Sequence, residues 1–260
     1  MRVAVLGGTG TLGSPVVRDL AARGHEVRVL TRTAPANPVP RTRHHAVDLT
    51  TGAGLDEALA GVDTVVDAAN HIGVRSTKVL VEGVRSLLAA EERAGVGHHV
   101  EISIVGCDEV PFSYYRSKVA QEQVVTGGPI PWTLLRATQF HELVDQLFTV
   151  AAKFGVEPHG SLRVQPVDVV AVAARLADAA EAGPAGRIRE VGGPAVQTLT
   201  ELAAARREVL GTRRLPFPVP PLGRMARRVR DGALCLGNDG EALSFDYAEW
   251  LRRRGAKPGS

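Results

Sequence analysis

Three polar side chains in the middle of the chain have types and spacing suited to acid–base chemistry. Tyr114 and Lys118 are four residues apart in a segment predicted to be helical, so their side chains point the same way. An ammonium group beside a phenol favours the phenolate and lowers a pKa that is ordinarily about 10. Ser103 precedes Ile-Val-Gly at the end of a predicted strand, and its hydroxyl would lie near the same reacting oxygen. Such a phenol can give or take a proton while hydride moves to or from a carbonyl carbon.

A glycine-rich turn near the N-terminus is suited to holding a pyrophosphate. The apolar run Val3–Leu6 predicts a buried strand, which turns through Gly7, Gly10 and Gly13 into a predicted helix. Glycines permit a tight turn and close backbone approach, and a helix N-terminus offers free N–H groups to the phosphates. An ordinary glycine turn is the alternative. The expected cofactor contacts in this turn are Gly7, Thr9, Gly10, Thr11, Leu12 and Gly13.

The residue after the second predicted strand bears on the choice of cofactor. NAD-binding units of this kind place an acid there, whereas this chain has Thr31 followed by Arg32. Arginine can form a bidentate pair with a 2′-phosphate, which favours NADP over NAD unless Arg32 is an ordinary solvated loop residue. Asp48 and Leu49 end the third predicted strand and could reach the adenine, although capping of the next turn explains Asp48 equally well.

The elements that must position these residues alternate between strands and helices. Apolar runs predict strands at Val3–Leu6, His25–Leu30, His45–Leu49, Asp63–Ala69, Val100–Val105 and Trp132–Leu135. Helical spacing of apolar residues predicts helices between Gly13 and Gly24, over 55–62, at Ser76–Ala94 and at Ser113–Val125. This alternation predicts an α/β fold with a doubly wound parallel sheet of the Rossmann type.

The alternation becomes less regular after about Gln139. Strand-like segments are Leu162–Val167 and Arg187–Val191, and helices are expected at Asp168–Glu181, after the capping pair Thr198 and Glu201, and at Phe245–Arg254. The proline-rich segment Leu215–Leu222 predicts an extended link. We expect residues 1–138 with 166–191 to bind the dinucleotide, and residues 139–165 and 192–260 to form a small C-terminal annex that holds substrate.

Composition limits the partners that the protein can have. The net charge of +3 and the 4% of aromatic residues argue against nucleic acid, and no apolar run is long enough to predict a membrane partner. Residues 201–260 hold 12 Lys and Arg against 7 Asp and Glu, which indicates a solvated helix face or, alternatively, anion attraction. Two distant cysteines and the lack of a signal peptide predict a cytoplasmic protein. No metal is expected, because the doublets His44–His45 and His98–His99 fall in strands and point to opposite faces.

The motifs together resemble a known protein family. Gly7-x-x-Gly10-x-x-Gly13, Ser103-x-x-Gly106 and Tyr114-x-x-x-Lys118 are similar to those of short-chain dehydrogenases/reductases. The sequence LGGTGTLG and the segment PWTLLRATQF at 131–140 resemble the atypical, NmrA-like, NAD(P)H-binding branch. The resemblance covers roughly residues 1–200 of the chain.

The resemblance implies roles for particular residues. Ser103, Tyr114 and Lys118 take the catalytic positions, and the lysine would also hold the nicotinamide ribose. Ala68, Ala69 and Asn70 would lie against the cofactor at the end of the fourth strand, although packing alone also explains the small residues. Ala137 and Phe140 would contact the nicotinamide carboxamide. The family's tetrad asparagine has no counterpart in 78–83, so we expect a proton relay that is altered or replaced by water.

The residues and the resemblance together predict an NADP(H)-dependent oxidoreductase acting on a small carbonyl or alcohol. NAD is the less favoured cofactor, and a homodimer is a further expectation. The branch also includes NADP-sensing regulators without turnover, which act through a protein partner. An NAD(P)-dependent epimerase or dehydratase is the third possibility, which the lack of a sugar-nucleotide signature weakens.

Overall fold

The computed structural model describes residues 1–71, 73, 77–243 and 245–255. Within them the chain divides into two compact units. The first unit consists of Met1–Ser103, Ser113–Leu135 and Val172–Ile188, and the second of Ile104–Phe112, Arg136–Ala171 and Arg189–Ser260. The second unit thus includes 104–112, which the sequence assigned to the nucleotide domain. None of the helices in the described part is both long and apolar enough to cross a lipid bilayer.

The strands and helices are numbered in chain order. The strands are β1 Arg2–Leu6, β2 Glu26–Thr31, β3 Thr42–Ala46, β4 Thr64–Asp67, β5 His98–Ile104, β6 Trp132–Ala137, β7 Val156–His159, β8 Arg163–Val164, β9 Gly186–Arg187, β10 Val191–Gly192, β11 Gln197–Thr198, β12 Leu215–Pro218 and β13 Glu241–Ala242. The helices are α1 Gly13–Ala22, α2 Leu55–Leu59, α3 Val84–Ala94, α4 Ser113–Thr126, α5 His141–Ala152, α6 Val169–Ala182, α7 Leu199–Leu210, α8 Gly223–Arg230 and α9 Tyr247–Gly255. A π-helical turn, Lys78–Gly83, leads into α3.

The first unit is built on a parallel sheet with helices packed on it, as the sequence predicts. Its strands lie in the order β3, β2, β1, β4, β5, β6, with β9 beside β6. The strand β1 is buried from Val3 to Leu6, because a parallel strand covered on both faces has no side exposed to water. One apolar cluster joins Leu6 and Leu30 to Leu59 of α2 and Leu87 of α3. Because the strands are parallel, the carboxyl ends of β1, β2 and β4 lie at the same edge of the sheet.

The second unit has small sheets and an apolar core of its own. Val191 of β10 pairs in parallel with Ala137 at the end of β6, and β10 also pairs with β13. Two-stranded sheets form between β7 and β12, in parallel, and between β8 and β11, antiparallel. The core includes Phe148 of α5, Leu202 of α7, and Tyr247 and Trp250 of α9.

Several predicted elements differ from the observed ones. The third strand ends at Ala46, so Asp48 and Leu49 lie beyond it, because this polar edge strand has no apolar run to mark its register. The single strand predicted over Arg187–Val191 is two short strands, β9 and β10. Helix α5 and strands β7, β11 and β13 were not predicted, whereas α8 has no buried residue and agrees with the solvated helix face expected for the arginine-rich segment. Ser76, the predicted start of the long third helix, lies outside the described residues.

The capping predictions are confirmed. Thr198 and Glu201 form a reciprocal capping box at the start of α7. Asp168 Oδ2 accepts a hydrogen bond from the Ala171 amide at 3.2 Å, as an N-cap residue does.

Candidate functional site

The glycine-rich turn has the geometry that a pyrophosphate requires. Gly7 has a φ of +68°, and a Cβ on Gly13 would lie 2.2 Å from the Gly7 carbonyl oxygen, so neither position accepts a side chain without rearrangement. Leu12 is buried and anchors the turn, while Thr9, Gly10 and Thr11 are exposed. In the first turn of α1 the Ser14 amide donates to the Gly10 carbonyl oxygen at 3.0 Å, the Val16 amide donates to the Leu12 carbonyl oxygen at 3.2 Å, and no acidic side chain lies there. These residues fit a dinucleotide pyrophosphate.

The end of β4 packs directly against this turn. A Cβ on Gly7 would lie 2.8 Å from the Ala69 Cα and 3.0 Å from the Ala68 carbonyl oxygen. Asp67 Oδ1 accepts a hydrogen bond from the Ala69 amide at 2.9 Å, which fixes the bend after the strand. The structure therefore places Ala68 and Ala69 beside the glycine turn, with Asn70 following them in the chain, and their contact with a cofactor stays a prediction.

Tyr114 reaches the same edge of the sheet from α4. Its ring is buried, and its hydroxyl donates a hydrogen bond to Asn70 Oδ1 at 2.8 Å. Ser103 is buried as the penultimate residue of β5, the strand next to β4. The expected catalytic hydroxyls thus come from the helix and the strand predicted to carry them. The contact with Asn70 was not predicted, since 44 residues separate the two in sequence.

Lys118 makes contacts different from those that the sequence predicts. The ammonium Nζ donates to Glu101 Oε1 at 3.0 Å, to the Ile102 carbonyl at 2.7 Å and to Gln121 Oε1 at 2.8 Å. An ammonium group has three hydrogens, so all of them are used inside the first unit. The expected contact with the nicotinamide ribose therefore requires one of these bonds to open.

Lys118 belongs to a buried group of five ionisable side chains and one glutamine that we call the core cluster. All its members are at most 3% exposed: Asp67, Glu91, His99, Glu101, Lys118 and Gln121. His99 Nδ1 lies 2.9 Å from Glu91 Oε1, and its Nε2 lies 3.7 Å from Glu101 Oε2, an ion-pair distance. Gln121 Nε2 donates to Glu101 Oε2 at 3.0 Å and to Asp67 Oδ2 at 3.4 Å. The cluster thus joins β4, β5, α3 and α4 through charged contacts.

Burial and charge set the protonation of the core cluster. Burial, and next the charge of Glu101, raise the pKa of Asp67 to about 7. Burial alone would lower the pKa of His99, but Glu91 and Glu101 hold it well above its usual value. Burial alone would also lower the pKa of Lys118, but Glu101, Tyr114 and Asp67 together hold it above its usual value. Two cations therefore face three carboxyl groups, and the proton on Asp67 decides whether the charges balance.

Three members of the core cluster also form a potential set of metal ligands. Each residue offers one ligand atom, and the three atoms, from Asp67, His99 and Glu101, lie within 4.8 Å of one another. Lys118 already supplies a positive charge to Glu101, and His99 supplies a second. The set is explained by these ion pairs without a metal, and the expectation of no metal stays a prediction.

The residues expected to determine the preference for NADP or NAD lie at the edge of the sheet where β2 ends. Arg32 directly follows β2 and is exposed. The amide and hydroxyl of Thr50 donate to Asp48 Oδ1 at 2.8 and 2.7 Å, so Asp48 organises the turn before α2. These bonds, and more weakly the charge of Arg32, lower the pKa of Asp48. Leu49 is half-buried against the core of the first unit.

The remaining expected contacts lie in the second unit. Ala137 is buried at the end of β6, and Phe140 occupies the N-cap position of α5. His141 is fully buried, stacks on Trp250 at a ring distance of 5.6 Å, and lies 3.3 Å from the Phe245 carbonyl oxygen. Burial lowers the pKa of His141 to about 4, so the ring is neutral and its role is packing.

The core cluster is the feature that the sequence prediction missed. A signal was present, because Asp67 and Glu101 interrupt apolar runs in DTVVDAA and HHVEISIVG. Strands buried on both faces rarely carry a carboxylate without a partner. The identity of the partners could not be predicted, since they come from distant segments.

Comparison with known proteins identifies the family. Residues 7–181, more than half of the chain, match the model of an NAD(P)H-binding protein family. The chain belongs to this NAD(P)H-binding family. This confirms the resemblance to the atypical short-chain dehydrogenases/reductases and the Rossmann-type fold.

Curated relatives of this NAD(P)H-binding protein include named dehydrogenases and reductases. A 3-beta-hydroxysteroid dehydrogenase of Mycolicibacterium neoaurum is 31% identical over 174 residues, covering 61% of this chain and 43% of the relative. A ceramide reductase of Caulobacter vibrioides is 30% identical over 187 residues, covering 67% of this chain and 59% of the relative. The chain therefore spans about half the length of the curated relatives that it matches.

Solved structures similar to this NAD(P)H-binding protein share its fold over nearly the whole chain. An NADPH-dependent quinone oxidoreductase from Escherichia coli, complexed with NADPH, has a TM-score of 0.79 at 21% identity, covering 97% of this chain and 99% of that one. A nucleoside-diphosphate-sugar epimerase from Staphylococcus aureus has a TM-score of 0.78 at 18% identity, covering 97% and 100%. At these identities the likeness shows the fold alone. The family match supports NAD(P)H binding, and the curated relatives named above are a dehydrogenase and a reductase.

Proposed function

We propose that this protein is an NADP(H)-dependent oxidoreductase that moves hydride between the nicotinamide and a small carbonyl or alcohol substrate. The observation that carries the proposal is the hydrogen bond from Tyr114 to Asn70, 2.8 Å long, at the end of β4. The residues after that strand pack on the glycine turn that fits a pyrophosphate. A phenolic proton donor thus lies in the same unit as the dinucleotide-binding elements, at their edge of the sheet.

The residues of the chain then have separate tasks. The reduced nicotinamide, when bound, supplies hydride to a carbonyl carbon. Tyr114 gives its proton to the oxygen of that carbonyl, and Ser103 donates a hydrogen bond to the same oxygen. Asn70 orients the phenol until substrate replaces it. In the oxidising direction each transfer is reversed, and the phenolate accepts the proton of the alcohol.

Lys118 acts in this proposal as a positioning residue. Its ammonium holds α4 against β5 through Glu101 and the Ile102 carbonyl, and its charge favours the phenolate on the same face of α4. Lys118→Met should therefore move the pH at which turnover is half-maximal upward, beyond any change in stability. An unchanged pH profile in a folded variant would remove Lys118 from this role.

The decisive experiment is Tyr114→Phe, which removes only the hydroxyl. We expect NADPH affinity and fold to be retained while turnover falls about 10²- to 10⁴-fold, the usual contribution of an acid–base group. The measurement is NADPH oxidation with a panel of carbonyl substrates, beside a cofactor titration. Tyr115→Phe is the matched control, because it changes the neighbouring tyrosine in the same helix. Turnover of the Tyr114 variant at the wild-type rate would exclude the tyrosine from the mechanism.

The choice of NADP rests on Arg32. With no acid at the end of β2, an exposed arginine there can form a bidentate pair with the 2′-phosphate. NADPH should bind at least about tenfold more tightly than NADH, since such a pair contributes on the order of 1.5–3 kcal/mol. Arg32→Ala should remove most of this difference, measured by titration of both cofactors. Equal affinities in the wild type would contradict the NADP assignment.

A second candidate function is an NADP-binding regulator without turnover. It is favoured by the three hydrogen bonds of Lys118, which leave the ammonium no hydrogen for the ribose. The two functions differ in one outcome. A protein that binds NADPH tightly but oxidises it with no carbonyl in a broad panel is the regulator.

A further inference from the structure

Two exposed apolar surfaces lie side by side in the second unit. On α5 and the turn after it, Leu143, Leu147, Val150 and Phe154 are exposed at spacings of four, three and four residues, which is one face of a helix. Phe154 is 79% exposed. An apolar row of this length on an exposed surface indicates an interaction site.

The second surface is the edge strand β12. Leu215 and Phe217 are 74% and 55% exposed and lie two residues apart, so they share one face of the strand. The Leu215 amide donates to the Gly155 carbonyl at 3.3 Å, next to Phe154. The guanidinium of Arg214 donates to the Ala152 carbonyl at the end of α5. These two bonds join the apolar row of α5 to that of β12.

A dense group of arginines adjoins the apolar rows. Residues 206–230 contain eight arginines and one glutamate, and they include β12 and all of α8. Four of these arginines pair with carboxylates (Arg206, Arg207, Arg228 and Arg230), and the remaining four, which include Arg213 and Arg214 beside β12, form no ion pair with the described residues. A concave depression of about 570 Å³ lies immediately before β12 and is lined by Arg207, Glu208, Gly211, Thr212, Arg213 and Arg214. Apolar side chains and a cationic depression therefore meet at the Arg214–Leu215 junction.

We propose that this surface docks on a lipid bilayer containing anionic phospholipids. Phe154, Leu215 and Phe217 would enter the boundary between headgroups and acyl chains, while Arg213 and its neighbours face the phosphates. A combination of exposed apolar residues with arginines is what binds a protein in the plane of an anionic membrane without crossing it. The proposal amends the expectation of no membrane partner, which considered only spanning segments, and it does not depend on the hydride chemistry.

A second copy of the chain fits this surface less well than a bilayer. A two-fold interface places the same patch against itself, so it would bring the arginines of 206–230 together. Like charges facing each other oppose association. An anionic surface has the complementary charge.

The test is co-sedimentation with vesicles, using the whole chain. We expect binding to phosphatidylcholine vesicles containing about 30% phosphatidylglycerol, none to phosphatidylcholine alone, and weakening at about 0.5 M salt. The double variant Phe154→Ser and Leu215→Ser should bind at least about tenfold more weakly. Val170→Ser is the matched apolar control, since Val170 is 58% exposed on α6.

A charge variant provides an independent measurement if the double variant folds poorly. Arg213→Ala should weaken binding about fivefold, whereas Arg85→Ala, on the exposed side of α3, should leave it unchanged. Absence of binding to anionic vesicles overturns the proposal. Equal binding by all variants also overturns it, because net charge alone would then explain the result. Lipid-free dimerisation that the double variant abolishes would assign the surface to a second copy instead.

Discussion

Each unit contains a cluster of charged side chains, and the two clusters differ in their access to water. The core cluster of the first unit is closed to solvent, and each of its charges depends on a buried partner. In the second unit Asp145 accepts hydrogen bonds from Arg206, from the Tyr247 hydroxyl and from Arg254, whose side chain is 61% exposed. We call these four residues the Asp145 cluster.

The difference predicts how each cluster responds to the loss of one member. A buried charge that loses its partner cannot be solvated, so the destabilisation includes the cost of the charge left behind. Around Asp145, water and the remaining arginine can replace a lost guanidinium. Substitutions should therefore have large effects in the core cluster and small ones at the rim of the Asp145 cluster.

The largest effect is expected for Glu101→Gln. The variant leaves Lys118 and His99 with less negative charge around them in a buried site, which should cost about 3–5 kcal/mol of unfolding free energy. Urea unfolding with an unchanged m-value measures this loss. Glu92→Gln is the control, because Glu92 is exposed on α3 and should lose less than about 0.5 kcal/mol. Similar losses in both variants would contradict the distinction between the two clusters.

An intermediate, pH-dependent effect is expected for Asp67→Asn. Because the pKa of Asp67 is raised to about 7, the neutral carboxyl stabilises the fold at low pH, and this contribution is lost as pH rises through that value. The wild type should lose about 1 kcal/mol from this group between about pH 6 and pH 8. The variant keeps an oxygen for the Ala69 amide and should lack this loss.

Unfolding free energies at the two pH values, with exposed Asp56→Asn as the control, measure the contribution of Asp67. A pH dependence that persists unchanged in Asp67→Asn would show that another group titrates there.

The smallest effect is expected for Arg254→Ala. Arg254 pairs with Asp145 at 2.8 Å, but it is largely exposed, and Arg206 still neutralises the carboxylate after the substitution. The loss should be roughly 0.2–1 kcal/mol and should shrink in high salt. Arg253→Ala, on the same helix but paired with Glu249, is the control. A loss above about 2 kcal/mol would mean that the two clusters behave alike.

The parts of the fold that follow local rules could be predicted from the sequence. The strand–turn–helix around Gly7 and the capping box of Thr198 and Glu201 each depend on residues close together in the chain. Only glycine tolerates the backbone of the turn without strain. A threonine followed three residues later by a glutamate is typical of the start of a helix. These elements were found where they were expected.

The parts that depend on distant partners could not be predicted. Helix α5 was missed because Leu143 and Leu147 face solvent, which hides the separation of apolar and polar faces that marks a helix. Lys118 was placed correctly in α4, but its acceptor Glu101 lies in strand β5, and nothing near Lys118 in sequence indicates it. The residue types at the site were therefore predictable, while their partners were not.

The carboxyl group of Asp67 couples two parts of the first unit. One of its oxygens holds the Ala69 amide beside the glycine turn, and the other accepts from Gln121 in the core cluster. A ligand that favours one geometry of the segment after β4 must then also shift the proton affinity of Asp67. By thermodynamic reciprocity, protonation of Asp67 changes the affinity for that ligand by the same factor. Cofactor binding would therefore be accompanied by uptake or release of a fraction of a proton near neutral pH. Calorimetric titrations in buffers with different ionisation enthalpies would show it as a change in the apparent heat.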